Sequence, residues 1–222
     1  MQYVVGVAMN PMRQSFKSIV QKIRDEIRFS NFDCRPQMLR YEHPENEWNL
    51  TEEFLKGYIL PKYAVAKVLQ PKRICEIGVY CGVAALAFLG ACPTAEYAGI
   101  DDLSGQKALG VDLVSKTGKL LDSLGYTATI FIENSQLMYQ LPGDPYDLIH
   151  VDGCHTREAA KHDVMLAWGC LKLDGYLLVD DSCDCHVCAG VFDALLVLPG
   201  GNVYWTNLEG TTGSILIYRT RQ

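Results

Sequence analysis

The chain has 222 residues, 49% hydrophobic and 21% charged, with a formal net charge of −6 at pH 7. That length and balance suit one folded domain with a sizeable core and argue against disorder. No lysine/arginine stripe is present, so a nucleic-acid partner, which needs clustered cations to neutralise phosphates, is not expected.

The opening MQYVVGVAMN carries no charged leader, and its apolar run is too short for a signal or membrane-spanning helix. No membrane partner is expected, and the nine cysteines read as reduced thiols of a cytoplasmic protein. Residues 13–29 show a helical stripe of Phe16, Ile19, Val20, Ile23 and Ile27, suited to core, to a subunit contact in a homo-oligomer, or to a lid. Residues 30–50 lack periodicity and read as a loop. Thr51 is an N-cap ahead of Glu52 and Glu53, and helical pattern runs to about Leu69 with a break or fresh first turn at Pro61. The expected division is an N-terminal helical and loop segment over 1–60 and a core over 61–222.

From Pro71 onward, short apolar runs alternate with helix-length segments. RICEIG, EYAGID, ATIFIE, YDLIHVD and GYLLVDD are five candidate strands; Val83–Gly90, Ser104–Leu124, Ser135–Gln140 and Arg157–Leu171 are the helices between them. This rhythm predicts an α/β fold, a Rossmann-like sheet of five parallel strands with helices on both faces. After a helix near Val187–Leu198, NVYWTNL and GSILIYRT are so close in sequence that they predict a C-terminal antiparallel hairpin.

In such a sheet, ligands bind beyond the carboxyl ends of strands where strand order reverses. The first strand ends in Glu76-Ile77-Gly78-Val79-Tyr80-Cys81-Gly82. Tyr80 stands where a nicotinamide fingerprint needs its second glycine, and no phosphate-binding Gly-Lys-Ser/Thr loop occurs. An acid followed by Gly-x-x-x-Gly resembles the S-adenosylmethionine loop of class I methyltransferases. The resemblance implies that Glu76, Gly78, Val79, Tyr80 and Gly82 surround the methionine part of that cofactor, with Asp152 beside them. The second strand ends in Asp101-Asp102, where a carboxylate can take both ribose hydroxyls; Asp101 is preferred, with Asp102 next. Ser135-Gln136, after the third strand, resembles the adenine-side pair of catechol-type O-methyltransferases.

The fourth and fifth strands end in Asp152 and Asp180-Asp181. Strands that are neighbours in the methyltransferase sheet would bring three carboxylates together, and unpaired carboxylates repel one another. A divalent cation removes that repulsion, and an oxygen-only donor set suits Mg²⁺ first, then Mn²⁺ or Ca²⁺. The stretch DLIHVDGCHTREAAKHDVMLAWGCLKLDGYLLVDD resembles the Asp-Gly-x-His…Leu-Lys-x-x-Gly…Asp-Asp block of metal-dependent macrocin/mycinamicin sugar O-methyltransferases and cephalosporin-hydroxylase-like proteins. The resemblance implies Asp152, Asp180 and Asp181 as metal ligands and His155 as general base, acting on a small hydroxylated sugar or polyketide-type natural product. Cys154 departs from the acidic residue frequent in that group, and Arg157 stands where an aromatic is more usual.

Three other readings stay open: a metal-independent N- or C-methyltransferase, a cofactor-binding partner subunit without activity, and a zinc hydrolase. The zinc hydrolase would be built on His155 and the cysteines; Cys183, Cys185, His186 and Cys188 are all candidate ligands, but no second cysteine pair accompanies them. The one-residue spacing of Cys183 and Cys185 also strains joint tetrahedral ligation.

Overall fold

The computed structural model describes residues 11–39, 51–105, 112–143, 145–198, 203–208 and 213–220. Helix α1 spans Pro11–Phe29 and α2 spans Arg35–Leu39. After an α-helical turn at Glu52–Phe54 and a π-helical turn at Leu55–Ile59, α3 runs over Leu60–Leu69. Thr51 caps the entry by accepting the Phe54 N–H, as its position predicted. The π turn was not legible in advance. Pro61 has no N–H to donate and its ring crowds the preceding turn, and the backbone widens there so that the Leu60 N–H reaches Leu55 O.

Strands β1 (Arg73–Ile77), β2 (Glu96–Asp101), β3 (Ala128–Ile132), β4 (Tyr146–Val151) and β5 (Leu171–Val179) are parallel. Strands β6 (Val203–Leu208) and β7 (Ser214–Arg219) form the expected hairpin, and β7 pairs antiparallel with β5. The sheet order is β3-β2-β1-β4-β5-β7-β6, so β7 alone runs against the rest. The order reverses between β1 and β4, and the site is built beyond their carboxyl ends.

Helices α4 (Val83–Ala91), α5 (Leu113–Ser123), α6 (Arg157–Cys170) and α7 (Cys185–Leu195) complete the layers. Successive strand residues point to opposite faces. Leu148, Leu178 and Leu216 accordingly join the core under α1, α3, α4 and α5, while Ile149, Leu177 and Ile217 join the core under α6 and α7. Phe16, Val20 and Ile23 of the α1 stripe are buried in the first of these, with the Phe16 ring stacked on Tyr204 and Tyr218.

Several boundaries differ from the sequence reading. The helix expected from Ser104 begins at Leu113, where the Asp112 side chain accepts the Ser115 N–H; residues 106–111 lie outside the described part. Ser135–Gln140 shortens to a 3₁₀ turn at Ser135–Leu137, started by Asn134 accepting the Gln136 N–H. Strand β5 begins four residues before Gly175, because α6 passes into it directly at Leu171. Within the expected 30–50 loop, α2 forms where Asp33 accepts the Arg35 N–H; residues 40–50 lie outside the described part, as do 209–212 of the hairpin.

Candidate active site

At the strand-order reversal, the loop after β1 meets the loop after β4. Gly78 has φ +90, and a Cβ there would lie 1.9 Å from the Asp152 carbonyl oxygen. Only glycine tolerates both the left-handed backbone and that approach. The Gly78 N–H donates to Ile100 O and the Asp152 N–H to Ile77 O, tying the three strand ends together. Tyr80 (φ 45) and Asp181 (φ 55) are non-glycine residues held in the left-handed region beside the same opening.

The opening is a cavity of about 630 Å³. Of the expected cofactor contacts, Gly78, Val79, Tyr80, Asp101, Asp102, Ser135, Gln136 and Asp152 line it. Asp101 accepts the Tyr80 N–H (2.8 Å) and the Leu103 N–H (2.7 Å), one on each oxygen, which braces the β1 loop against the end of β2. A carboxylate offers about four acceptor sites, so hydroxyls can still be received. Gln136 donates from Nε2 to Asp163 Oδ1 (2.8 Å), and His162 Nε2 pairs with Ser135 O (3.0 Å). Asp163, on α6, is buried, which pushes its carboxyl up to about 6. Gly82 caps α4 with φ 72 and is not among the lining residues.

Glu76 does not line the cavity: its carboxylate is buried, accepts from the Tyr97 hydroxyl on Oε2 and pairs through Oε1 with His150 Nδ1 at 3.0 Å. Strand alternation turns Glu76 and His150, partners in the β1–β4 register, to the same side of the sheet.

The three expected metal ligands lie close together but have different partners. Asp152 lines the cavity and accepts the Tyr58 hydroxyl at 2.5 Å on Oδ2. Burial, and then the charge of Asp180, push its carboxyl up to about 7. Asp181 lines the cavity and pairs with His155 Nε2 at 3.0 Å; that hydrogen bond raises the imidazole to about 9. Asp180 is turned inward, buried, with Lys62 Nζ on Oδ2 and Ser214 Oγ donating to Oδ1 at 2.8 Å. Burial by itself would raise Asp180, but the Lys62 charge and the bonds it receives hold its carboxyl below the usual range. Asp180 is thus held by Lys62 and Ser214 while still offering a donor atom within 4.8 Å of Asp152.

Among the described residues, two groups bring three donor atoms within 4.8 Å of one another: His150, Asp152 and Asp180, and Asp152, His155 and Asp181. Neither contains a cysteine. His150 Nε2 is buried and has no hydrogen-bond partner.

Sequence reasoning missed Phe54, Tyr58 and Lys62, which reach the site from before the first strand. Lys62 is fully buried, and its Nζ lies 3.3 Å from the centroid of the Tyr58 ring. A signal existed: Lys62 shares a helix face with Ile59 and Ala66, both wholly buried. His150, at the centre of an apolar strand, was a similar signal.

A sequence-family model described as a methyltransferase domain matches residues 75–182. No curated protein matches the sequence. Among solved structures, the chain is similar to the O-methyltransferase TomG of Streptomyces achromogenes, involved in tomaymycin synthesis and solved with SAM (17% identity, TM-score 0.61, covering 96% of this chain and 97% of that one). It is similar to the SAH-bound methyltransferase PaMTH1 of Podospora anserina (16%, TM-score 0.61, all of both chains). An O-methyltransferase from Bacillus cereus in complex with SAH is also similar (11%, TM-score 0.63, 93% and 99%). At these identities the likeness is one of fold. No described helix is long and apolar enough to cross a membrane.

Proposed function

We propose that the protein transfers a methyl group from S-adenosylmethionine to a hydroxyl of a small molecule, because residues 75–182 match a family model described as a methyltransferase domain and the sheet has the class I order. One observation carries the reading. The cavity that holds the expected cofactor contacts Gly78, Asp101, Ser135 and Gln136 is also lined by Asp152, His155 and Asp181. A cavity of about 630 Å³ with apolar walls at Ile77, Val79, Ala84 and Ile100 and a few acids suits a nucleoside-bearing cofactor with a small acceptor. The acceptor class, a sugar or polyketide-type natural product, draws on the resemblance of the Asp152–Asp181 block and on the fold shared with a tomaymycin-synthesis enzyme.

Bound S-adenosylmethionine supplies a methyl group already activated on its sulfonium. The chain has two remaining tasks: to hold the acceptor oxygen in line with that methyl group, and to take the hydroxyl proton. Phe54 and Tyr58 also line the cavity and position the acceptor. His155, half-exposed to the cavity and oriented by Asp181, takes the proton as the oxygen–carbon bond forms and the sulfur–carbon bond breaks. With its imidazole raised to about 9, it is a strong base that must first lose its own proton.

Three carboxylates on one Mg²⁺ do not fit these residues, because Asp180 is held by Lys62 and Ser214, and the hydroxyl proton passes to His155 itself. The reading is tested by calorimetric titration with S-adenosylhomocysteine. Stoichiometric binding by wild-type protein, weakened in Asp101→Ala, is expected; no binding by wild type overturns it.

A further inference from the structure

We propose that Lys62 is the resident cation of this reaction centre, standing between Asp180 and the Tyr58–Asp152 pair where a divalent metal would otherwise be needed. The inference rests on the methyltransferase reading and deepens it: the site holds its carboxylates and acts without a metal ion.

Each carboxylate already has a partner from the protein. Asp180 has the Lys62 ammonium and the Ser214 hydroxyl, Asp152 has the Tyr58 hydroxyl, and Asp181 has His155. The repulsion that would call for a divalent ion is thereby met by two side-chain cations and a phenol. Lys62 acts on two of the acids at once. Its ammonium bonds Asp180 directly and lies against the face of the Tyr58 ring, whose hydroxyl is the donor to Asp152.

This lysine is placed by the fold. Lys62 and Asp180 side chains are both 0% exposed, and a lysine is almost never buried to that degree unless paired. The residues one turn away on its face, Ile59 at the end of the π-helical turn and Ala66 in α3, are also wholly buried, so the stem cannot swing out to solvent without unpacking the helix. A metal that took Asp180 as a ligand would have to expel Lys62 and leave an ammonium buried without its counter-charge. Of the two rival arrangements, a metal on His150, Asp152 and Asp180 would use the unpartnered His150 Nε2 and requires that same expulsion, while a metal on Asp152, His155 and Asp181 would have to displace the Asp181–His155 pair and the Tyr58 donor of Asp152.

The test is titration of the full chain with Mn²⁺ alone, following free Mn²⁺ by electron paramagnetic resonance. Wild-type protein is expected to hold no stoichiometric Mn²⁺ at micromolar concentrations. Lys62→Met removes the ammonium, and its Mn²⁺ affinity is expected to rise by about tenfold or more, a gain abolished by adding Asp180→Asn. One tightly held Mn²⁺ per wild-type chain overturns the proposal, as does a folded Lys62→Met protein with no gain. If Lys62→Met cannot be purified, the wild-type titration decides alone. A parallel calorimetric titration with S-adenosylhomocysteine separates the two levels: its failure removes the methyltransferase reading, while the Mn²⁺ result still reports on Lys62.

Discussion

The ammonium of Lys62 lies 3.3 Å from the centroid of the Tyr58 ring, one helical turn earlier in the same segment, so one residue carries the cation and the other the surface it rests on. The pair joins two acids of the site, Asp180 through the ammonium and Asp152 through the phenol. Burial and the negative charge of Asp152 raise the Tyr58 phenol well above its ordinary value, so it remains a donor.

Tyr58→Phe keeps the ring under Lys62 and removes the donor to the part-buried Asp152 carboxylate. Loss of a hydrogen bond to a charged group costs about 1.5–3 kcal/mol. Chemical denaturation should show a loss in that range with an unchanged denaturant slope. An unaltered midpoint would mean that Asp152 finds another donor at no cost.

Lys62→Met leaves Asp180 as a buried charge without its cation, and removing one partner of a buried pair costs about 3–5 kcal/mol. Asp180→Asn in the same chain removes the stranded charge, so the double variant should recover most of the loss. Four proteins in a double-mutant cycle measure this. Additive single effects would show that the two side chains do not interact.

Gly78→Ala and Gly125→Ala impose the same left-handed strain, at φ +90 and φ +77, but differ in what the new methyl meets. At Gly125 nothing lies within 4 Å, so the cost is the backbone penalty of about 1–2 kcal/mol. At Gly78 the methyl would fall on the Asp152 carbonyl, so the loss should be clearly larger and S-adenosylhomocysteine binding should fall with it. Equal losses in the two variants would show that the β1 and β4 loops can separate freely.

Asp163 gives a pH dependence with a definite sign. Its carboxyl is raised from 3.8 to about 6 by burial, so the folded chain binds the proton more tightly than the unfolded chain. Its contribution to stability is full below about pH 4 and is lost as pH rises through about 6. Asp163→Asn keeps an acceptor for Gln136 and removes the titration. Relative to wild type, the variant should gain on the order of 2 kcal/mol between pH 4 and pH 8. A constant difference across that range would rule out a raised Asp163.

Much of the fold was legible because its signals are local. Five apolar runs with turn residues between them identified β1 to β5, and the short 209–212 connection identified β6 and β7 as a hairpin. Boundaries slipped where local pattern and tertiary packing disagree. Strand β5 starts at Leu171 because α6 leads into it without a turn, and α5 starts only where Asp112 can cap it. Of the expected cofactor residues, Gly78, Val79, Tyr80, Asp101, Asp102, Ser135 and Gln136 line the cavity, while Gly82 does not and neither does Glu76. That residue follows the acidic-residue pattern but is claimed by Tyr97 and His150, and His150 lies 74 positions further on.

By itself, the sequence determined which acids stand at which strand ends, because strand periodicity and the glycines that follow are properties of a few adjacent residues. Only the tertiary structure decided what each acid faces. Lys62 and Asp180 lie 118 positions apart and Tyr58 and Asp152 94, and no local pattern links them. Whether a carboxylate seeks a metal or rests against an ammonium depends on the charge brought within a few ångströms of it. Here α3, packed over the sheet, supplies that charge.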